Sequence, residues 1–141
     1  MALNTKRIWI GGLAGGLVWI VWGFLMSFLV IGFGRYAAAQ QQGLFLHTSR
    51  YPAFNTQWMV LMLILGIGIA HLYAWSRSTL QPGPGAAIKL GAVVGFIAGF
   101  PLNFAQAAWS PIDRIFPLGW MLEMWIGAIL ATLVAGVLYK D

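Results

Sequence analysis

The sequence predicts an all-α integral membrane protein, a four-helix bundle made of two helical hairpins. The 141-residue chain is 60% hydrophobic and only 8% charged, and its mean hydropathy is +0.81. Soluble domains carry about 25% charged residues, so this chain cannot cover a water-exposed surface with charge. Its apolar residues also fall into four runs separated by polar or Pro- and Gly-rich segments. Each run is long enough to cross a hydrocarbon core of about 30 Å.

The whole chain, residues 1–141, is predicted to form a single membrane domain. An α-helix rises about 1.5 Å per residue, so each apolar run accounts for one membrane crossing. The polar segment between the first two runs is long enough to form an outer loop. The predicted helices span about residues 8–33, 57–76, 87–109 and 117–139, and the outer loop spans residues 34–56.

The first helix is predicted from Ile8 to Phe33. This apolar run is longer than the roughly 7–15 residues of a signal-peptide core, and we expect it to remain in the protein as a membrane helix. Gly11 and Gly15 recur four residues apart within it. Because this spacing lets two helix backbones approach closely, both glycines are predicted to lie at a helix contact.

The outer loop begins with an Ala- and Gln-rich stretch that favours continued helix, and Gly43 is expected to end that helix. The second membrane helix follows and contains His71. An ionisable residue inside a membrane helix is by default a candidate functional residue. His71 lies near the helix end, however, where a neutral imidazole can reach headgroups or a backbone carbonyl. A structural role is therefore favoured for it.

The third and fourth helices form the second predicted hairpin. Pro82 and its neighbouring glycines break the chain before the third helix, and Pro101 is expected to kink that helix. The fourth helix has a face of small residues that includes Gly127. The third helix carries its own seam of packing glycines at strict four-residue spacing, namely Gly91, Gly95 and Gly99.

Polar residues at membrane depth form the candidate site. Asn103 and Gln106 share one face of the third helix, and Glu123 lies at a comparable depth in the fourth. Since the two helices are antiparallel neighbours, a contact between Glu123 and either amide is expected. A buried charge without a partner is costly, so Glu123 is expected to be hydrogen-bonded, protonated, or paired with Arg35 or Arg114.

The distribution of cations predicts the orientation. Four helices place both termini on one side of the membrane, and an excess of Lys and Arg marks the cytoplasmic side. Five cations against three favour cytoplasmic termini. The five are Lys6, Arg7, Arg77, Lys89 and Lys140, and the three are Arg35, Arg50 and Arg114.

The two halves of the chain also show a weak similarity to each other. KRIWIGGLAGGLVW in the first half parallels KLGAVVGFIAGFPL in the second. A parallel internal repeat, related by an axis along the membrane normal, would explain it. Glycine-rich composition would explain it equally well, and both interpretations stay open.

Composition excludes several classes of function. The chain has no cysteine and only three acidic residues, with neither a metal-ligand set nor a Ser/His/Asp arrangement. We therefore predict no catalytic residue, no metal and no cofactor. The net charge of +5 does not form a basic stripe, and nucleic acid is not expected as a partner.

Three functions stay open, and the first is favoured. In the first, the chain is a non-catalytic structural or interaction component of a membrane assembly, and it acts as a homo-oligomer or within a larger membrane complex in the lipid bilayer. Alternatively, it transports a small solute or is proton-coupled through Glu123. A third possibility is a module that binds a lipid, quinone or pigment among its aromatic residues, which make up 15% of the chain.

Several stretches carry a resemblance to a known family. They are RYPAFNTQW, the QQQGLF run, and GFIAGFPLNFAQAAWSPIDRIFPLGWMLEMWIGAILATLVAG. They resemble a family of small bacterial four-helix membrane proteins without an established activity. The resemblance spans most of the chain and implies the fold and a location in the bacterial inner membrane. It transfers no site residues.

Overall fold

The computed structural model describes residues 3–139, which form helices and turns without β-strands. The predicted all-α class is therefore confirmed. Four helices are long and apolar enough to cross a membrane. In chain order the helices are α1 (Thr5–Leu25), a π-helical segment (Met26–Ile31) that continues α1, α2 (Phe33–Gln41), α3 (Phe54–Ser76), α4 (Pro84–Trp109) and α5 (Ile115–Leu138).

The four membrane helices begin two or three residues earlier than the sequence predicts. Asn4 extends α1, because its side-chain oxygen accepts a hydrogen bond from the backbone N–H of Arg7 at 3.2 Å. Pro84 starts α4, where a proline costs nothing since the first helical N–H has no partner within the helix. α4 then continues through Pro101 to its last residue, Trp109.

The segment predicted as the outer loop contains one helix, α2. Gly32 has a φ of +80°, in the left-handed region that favours glycine, and separates α2 from the π-helical segment. Nη1 of Arg35 donates to the carbonyl oxygens of Ile31 at 2.7 Å and Val30 at 3.4 Å. These bonds satisfy acceptors at the end of the π-helical segment. Gly43, with a φ of +72°, follows the end of α2 as predicted.

α1 lies between α3 and α5 and contacts both through glycines. A Cβ atom built on Gly12 would lie 2.5 Å from the Cα atom of Ile67 in α3. One built on Gly15 would lie 2.7 Å from the carbonyl oxygen of Ala131 in α5, and Gly11 contacts α5 one turn away. Because real Cβ atoms do not approach backbone atoms to less than 3.0 Å, only glycine permits the contacts at Gly12 and Gly15.

α4 lies at the edge of the bundle and packs mainly along α5. A Cβ atom on Gly91 would lie 2.6 Å from the Cα atom of Ile129. Gly95 and Gly99 continue the same contact toward the other end of α4. The opposite face of α4 exposes large apolar side chains, which suits a surface in contact with lipid. Among them are Val93, Ile97 and Leu102.

The two ends of the bundle carry different structures. The end where α1 and α4 begin, called the basic end, is filled by a buried cluster that includes Ile8, Tyr73 and Tyr139. Its described cations are Lys6, Arg7, Arg77 and Lys89, and Lys140 lies outside the described residues. The opposite end, called the capped end because α2 and the loop after it cover it, carries Arg35, Arg50 and Arg114.

Candidate functional site

The contact between α1 and α5 positions the only acidic residue of the described membrane helices. Residues 11, 15, 19 and 23 of α1 follow one another at four-residue spacing and face residues 135, 131, 127 and 123 of α5. Four-residue spacing keeps side chains on one face of a helix. Glu123 therefore points toward α1, and its side chain is only 6% exposed.

The Glu123 carboxyl shares a small space with the indole of Trp58 from α3. A Cβ atom built on Gly23 of α1 would lie 2.9 Å from Oε1 of Glu123 and 2.5 Å from Cη2 of Trp58. Both groups therefore lie directly over Gly23, which has no side chain to obstruct them. The carboxyl is enclosed by three helices, since α1, α3 and α5 each supply one wall.

Two indole N–H groups of α1 bind the α5 backbone at this level. Nε1 of Trp19 donates to the carbonyl oxygen of Glu123 at 3.2 Å, and Nε1 of Trp22 donates to the carbonyl oxygen of Leu122 at 3.3 Å. These bonds fix the position of the Glu123 backbone. Its carboxyl differs, because no group within residues 3–139 donates a hydrogen bond to the side-chain oxygens.

An aromatic cluster closes the capped end above this site. The ring of Phe116 in α5 lies 4.9 Å from that of Tyr36 in α2 and 5.0 Å from that of Phe45 in the loop. Nε1 of Trp120 donates to the Tyr36 hydroxyl at 3.4 Å. About two helical turns of α5 separate Glu123 from the first residue of that helix. The site is thus buried from the capped end by apolar rings.

The π-helical segment reaches the same region of α5. The side chain of Ile31 occupies the space beside Gly119, where an added Cβ atom would lie 2.8 Å from Cγ1 of Ile31. π-helical turns occur frequently at functional sites, where they displace the following residues around the helix axis. Here the wider turn ends α1 and brings Ile31 into the buried cluster of the capped end.

The predicted polar cluster of Asn103, Gln106 and Glu123 does not form. Nδ2 of Asn103 donates to the carbonyl oxygen of Gly99 in its own helix at 2.7 Å, and Gln106 is exposed. Glu123 instead faces α1 and α3. The reason is helical geometry. α4 contacts α5 at Trp125, and Glu123, two residues earlier, lies about 200° away around the helix axis, on the other side of α5.

The secondary candidates also lie away from Glu123. Nδ1 of His71 donates to the carbonyl oxygen of Ile67 at 2.9 Å, since a carbonyl can only accept. His71 therefore contacts a backbone carbonyl, which is one of the two structural contacts expected from its position near the helix end. Arg35 binds the end of the π-helical segment, and Arg114 immediately precedes α5. Within the described range, no three or more His, Asp or Glu side chains lie together as a metal site would require.

Sequence reasoning missed three residues of this site, namely Trp19, Gly23 and Trp58. One signal for Gly23 was present, because it continues the four-residue spacing of Gly11 and Gly15 through Trp19. Position along the predicted helices puts Trp58 at the same depth as Glu123, but the local pattern does not connect its helix with that residue. The four-residue spacing of Glu123 and Gly127 puts both residues on one stripe of the fourth helix, but the sequence does not show which helix lies opposite that stripe.

Four long apolar helices, three of which enclose an acidic residue, are typical of one class, the multi-pass membrane proteins of the all-α type. Comparison of the chain with protein-family models, curated proteins and solved structures finds no match. The resemblance to small bacterial four-helix membrane proteins therefore stays a prediction.

Proposed function

We propose that the chain is a small, non-catalytic, ion-coupled membrane carrier in which Glu123 binds a proton or a small monovalent cation. One observation carries the proposal. The Glu123 side chain is 6% exposed, and none of the described residues donates a hydrogen bond to it. It lies well inside a membrane-spanning helix rather than at its end.

The energetics of burial favour an ion-binding role over a structural one. A carboxyl with a purely structural role inside a membrane bundle is expected to accept hydrogen bonds from protein donors. A structural clamp would need donors facing the carboxyl, and Asn103 and Gln106 do not supply them. A carboxyl that takes up and releases an ion suits a site without permanent donors, because a fixed partner would compete with the ion.

A structural or interaction role is the second candidate, and the glycine contacts favour it. Gly12, Gly15 and Gly66 hold α1, α3 and α5 together backbone against backbone. α4 lies outside these three helices with much of its surface exposed. Such a rigid bundle would serve as one unit of a homo-oligomer or of a larger membrane complex. In that role the charge of Glu123 would have no function.

Ion flux in vesicles separates the two candidates. Wild-type protein, Glu123→Gln and the matched control Asp113→Asn are reconstituted into liposomes that contain a pH-sensitive dye. An outward proton or sodium gradient is then imposed. We expect ion-dependent exchange with wild type and with Asp113→Asn, because Asp113 lies in an exposed turn and asparagine keeps its cap on Ile115. We expect Glu123→Gln to abolish this ion-dependent exchange, because glutamine keeps the shape of the side chain but cannot ionise.

Two further readouts make this result decisive. Tryptophan fluorescence of each variant reports whether the bundle has folded, and only folded variants are compared. Dicyclohexylcarbodiimide reacts with carboxyl groups in apolar surroundings, and we expect intact-mass analysis to find the adduct on wild type but not on Glu123→Gln. Equal flux through folded wild type and Glu123→Gln would contradict the carrier and favour the structural role.

We also propose that the basic end faces the cytoplasm of a bacterial inner membrane. The described cations number four at the basic end and three at the capped end, and cytoplasmic ends of membrane proteins carry more Lys and Arg. The chain has no native cysteine, so single cysteines report accessibility without background.

Cysteine labelling tests this orientation. Thr48→Cys lies at the capped end and Ser78→Cys at the basic end, and both positions are exposed. With a membrane-impermeant maleimide added to intact cells, we expect Thr48→Cys to react and Ser78→Cys to react only after the cells are opened. Labelling of Ser78→Cys alone in intact cells would reverse the proposed orientation.

A further inference from the structure

Ser27 is a polar residue inside the first membrane span, one helical turn from the Glu123 site. It is the second residue of the π-helical segment and is half-buried. Residue 27 continues the four-residue spacing of the α1 face that carries Trp19 and Gly23, so Ser27 belongs to the face that contacts α5. One helical turn advances about 5.4 Å. An ion or a water molecule that bonds to two oxygens spans a comparable distance.

The Ser27 hydroxyl makes no hydrogen bond with any described residue. Three other polar side chains of the membrane helices bond the carbonyl oxygen four residues earlier in their own helix, a common arrangement. Thr132 does so at 2.6 Å, Asn103 at 2.7 Å and His71 at 2.9 Å. Ser27 and Glu123 are thus two polar side chains of one helix contact that the described residues leave without hydrogen-bond partners.

The π-helical segment keeps Ser27 from packing against α5. If α1 continued as a regular helix, residue 27 would face Gly119, because the contacts of α1 with α5 advance four residues at a time. Instead Ile31 lies beside Gly119, and no atom of Ser27 lies within 4 Å of the Cβ position there. Gly119 itself has no side chain. The hydroxyl therefore has space on its α5 side for an ion or a water molecule.

α3 does not cover Ser27 either. α1 and α3 are antiparallel, and their contact pairs Gly16 with Leu63. The same register, followed toward the capped end, brings Ser27 level with the start of α3 at Phe54. Ser27 thus lies at the edge of the space that α1, α3 and α5 enclose, and Glu123 lies inside it. The half-exposed hydroxyl connects the enclosed carboxyl with the surface of the bundle.

We propose that the Ser27 hydroxyl is the second ligand of the ion that binds at Glu123. The inference rests on the proposed carrier function and assigns a further residue to the same site. A hydroxyl offers two lone pairs and one hydrogen, so it can bond to a sodium ion or to a hydronium ion. The shared chemistry is a monovalent cation held between a carboxylate and a hydroxyl. Transport requires an ion site that binds but also releases, and two ligands from two helices suit that requirement.

Thiol accessibility tests the position of Ser27. Ser27→Cys is compared with Leu29→Cys, two residues away in the same segment, where the side chain is 78% exposed on the outer surface of the bundle. Each variant in liposomes receives a small, positively charged methanethiosulfonate on both sides. Such a reagent needs the thiolate, which does not form in hydrocarbon. We expect Ser27→Cys to react and Leu29→Cys to stay unmodified, with Thr48→Cys in the exposed loop as the fully accessible reference. An unreactive Ser27→Cys in a folded protein would overturn the inference.

Ion-dependent flux tests the role of the hydroxyl as a ligand. Ser27→Ala removes it and Ser27→Thr retains it. In the liposome assay we expect Ser27→Ala to raise the half-saturating ion concentration about tenfold, the scale of one hydrogen bond to a charged group. Ser27→Thr is expected to stay close to wild type. Ser78→Ala, which changes an exposed serine at the basic end, is the control. Sodium gradients at fixed pH and proton gradients without sodium are measured separately, and the ion whose half-saturation moves is the ligand.

The carrier and the ligand role of Ser27 fail in different ways. Equal flux through Glu123→Gln and wild type would remove the carrier, and the role of Ser27 with it. Loss of flux in Glu123→Gln with an unchanged half-saturating concentration in Ser27→Ala would leave the carrier intact and overturn the role of Ser27. A lower maximal rate alone in Ser27→Ala would also overturn it, because a packing defect has that effect. Tryptophan fluorescence confirms that each compared variant has folded.

Discussion

Replacing Gly66 by alanine is expected to lower the free energy of unfolding by about 3 kcal/mol or more. The added Cβ atom would lie 2.5 Å from the carbonyl oxygen of Gly12, 2.6 Å from the nitrogen of Gly16 and 2.7 Å from its Cα atom. All three are backbone atoms, so no side chain can rotate away. α1 and α3 would have to separate along their contact. Inserting one methyl group into a tightly packed core costs about 1–3 kcal/mol when side chains can adjust, and here they cannot.

The chain supplies a matched control two residues away. A Cβ atom on Gly68 of the same helix meets nothing within 4 Å. Gly68→Ala is therefore expected to leave stability unchanged or to raise it slightly, because alanine favours helix over glycine by up to about 1 kcal/mol. The measurement is denaturant unfolding in detergent, followed by tryptophan fluorescence. Equal stability of the two variants would contradict the close contact of α1 with α3.

Gly127→Ala is expected to displace the indole of Trp19 and cost about 2–4 kcal/mol. A Cβ atom on Gly127 would overlap Nε1 and Cδ1 of Trp19. Trp19 is 1% exposed, so its ring has no free space to enter. Either the ring moves or α1 and α5 separate, and overpacking of this kind costs about 1–3 kcal/mol. Displacing the ring also breaks its bond to the Glu123 carbonyl oxygen, a further loss of about 1 kcal/mol.

A compensating substitution distinguishes this explanation from general damage to the helix. Trp19→Phe removes the indole nitrogen that the new methyl group would meet. By itself it costs stability, because it leaves a cavity. Combined with Gly127→Ala, it is expected to cost less than the sum of the two single changes, by about 1 kcal/mol or more. Gly34→Ala, where an added Cβ meets nothing within 4 Å, controls for the effect of alanine. Strict additivity would show that Trp19 does not fill the space beside Gly127.

These two contacts also connect the fold with the candidate site. The face of α1 that carries Gly15 and Trp19 ends at Gly23, over which the Glu123 carboxyl and the Trp58 ring lie. The close approach of α1, α3 and α5 is thus what buries the carboxyl. A change that separates these helices is expected to expose Glu123 to solvent or lipid as well as to lower stability.

The sequence by itself determined the class of protein and the packing faces of its helices. Apolar length predicts membrane crossings, because the bilayer thickness sets how many residues a helix needs. Four-residue spacing placed Gly91, Gly95 and Gly99 on one face, and the structure puts that face against α5. The same periodicity placed Glu123 on a stripe with Gly127, since helix geometry is a local property.

Only the tertiary structure decided what lies opposite each face. The sequence order of the helices suggested α4 as the neighbour of Glu123, whereas α4 covers a different side of α5 and leaves Asn103 bonded to its own helix. α1, distant in sequence, supplies Gly23 and Trp19 instead. Helices within a bilayer are selected as neighbours by the fit of their surfaces. That fit depends on all the helices together, and no local pattern in one of them specifies it.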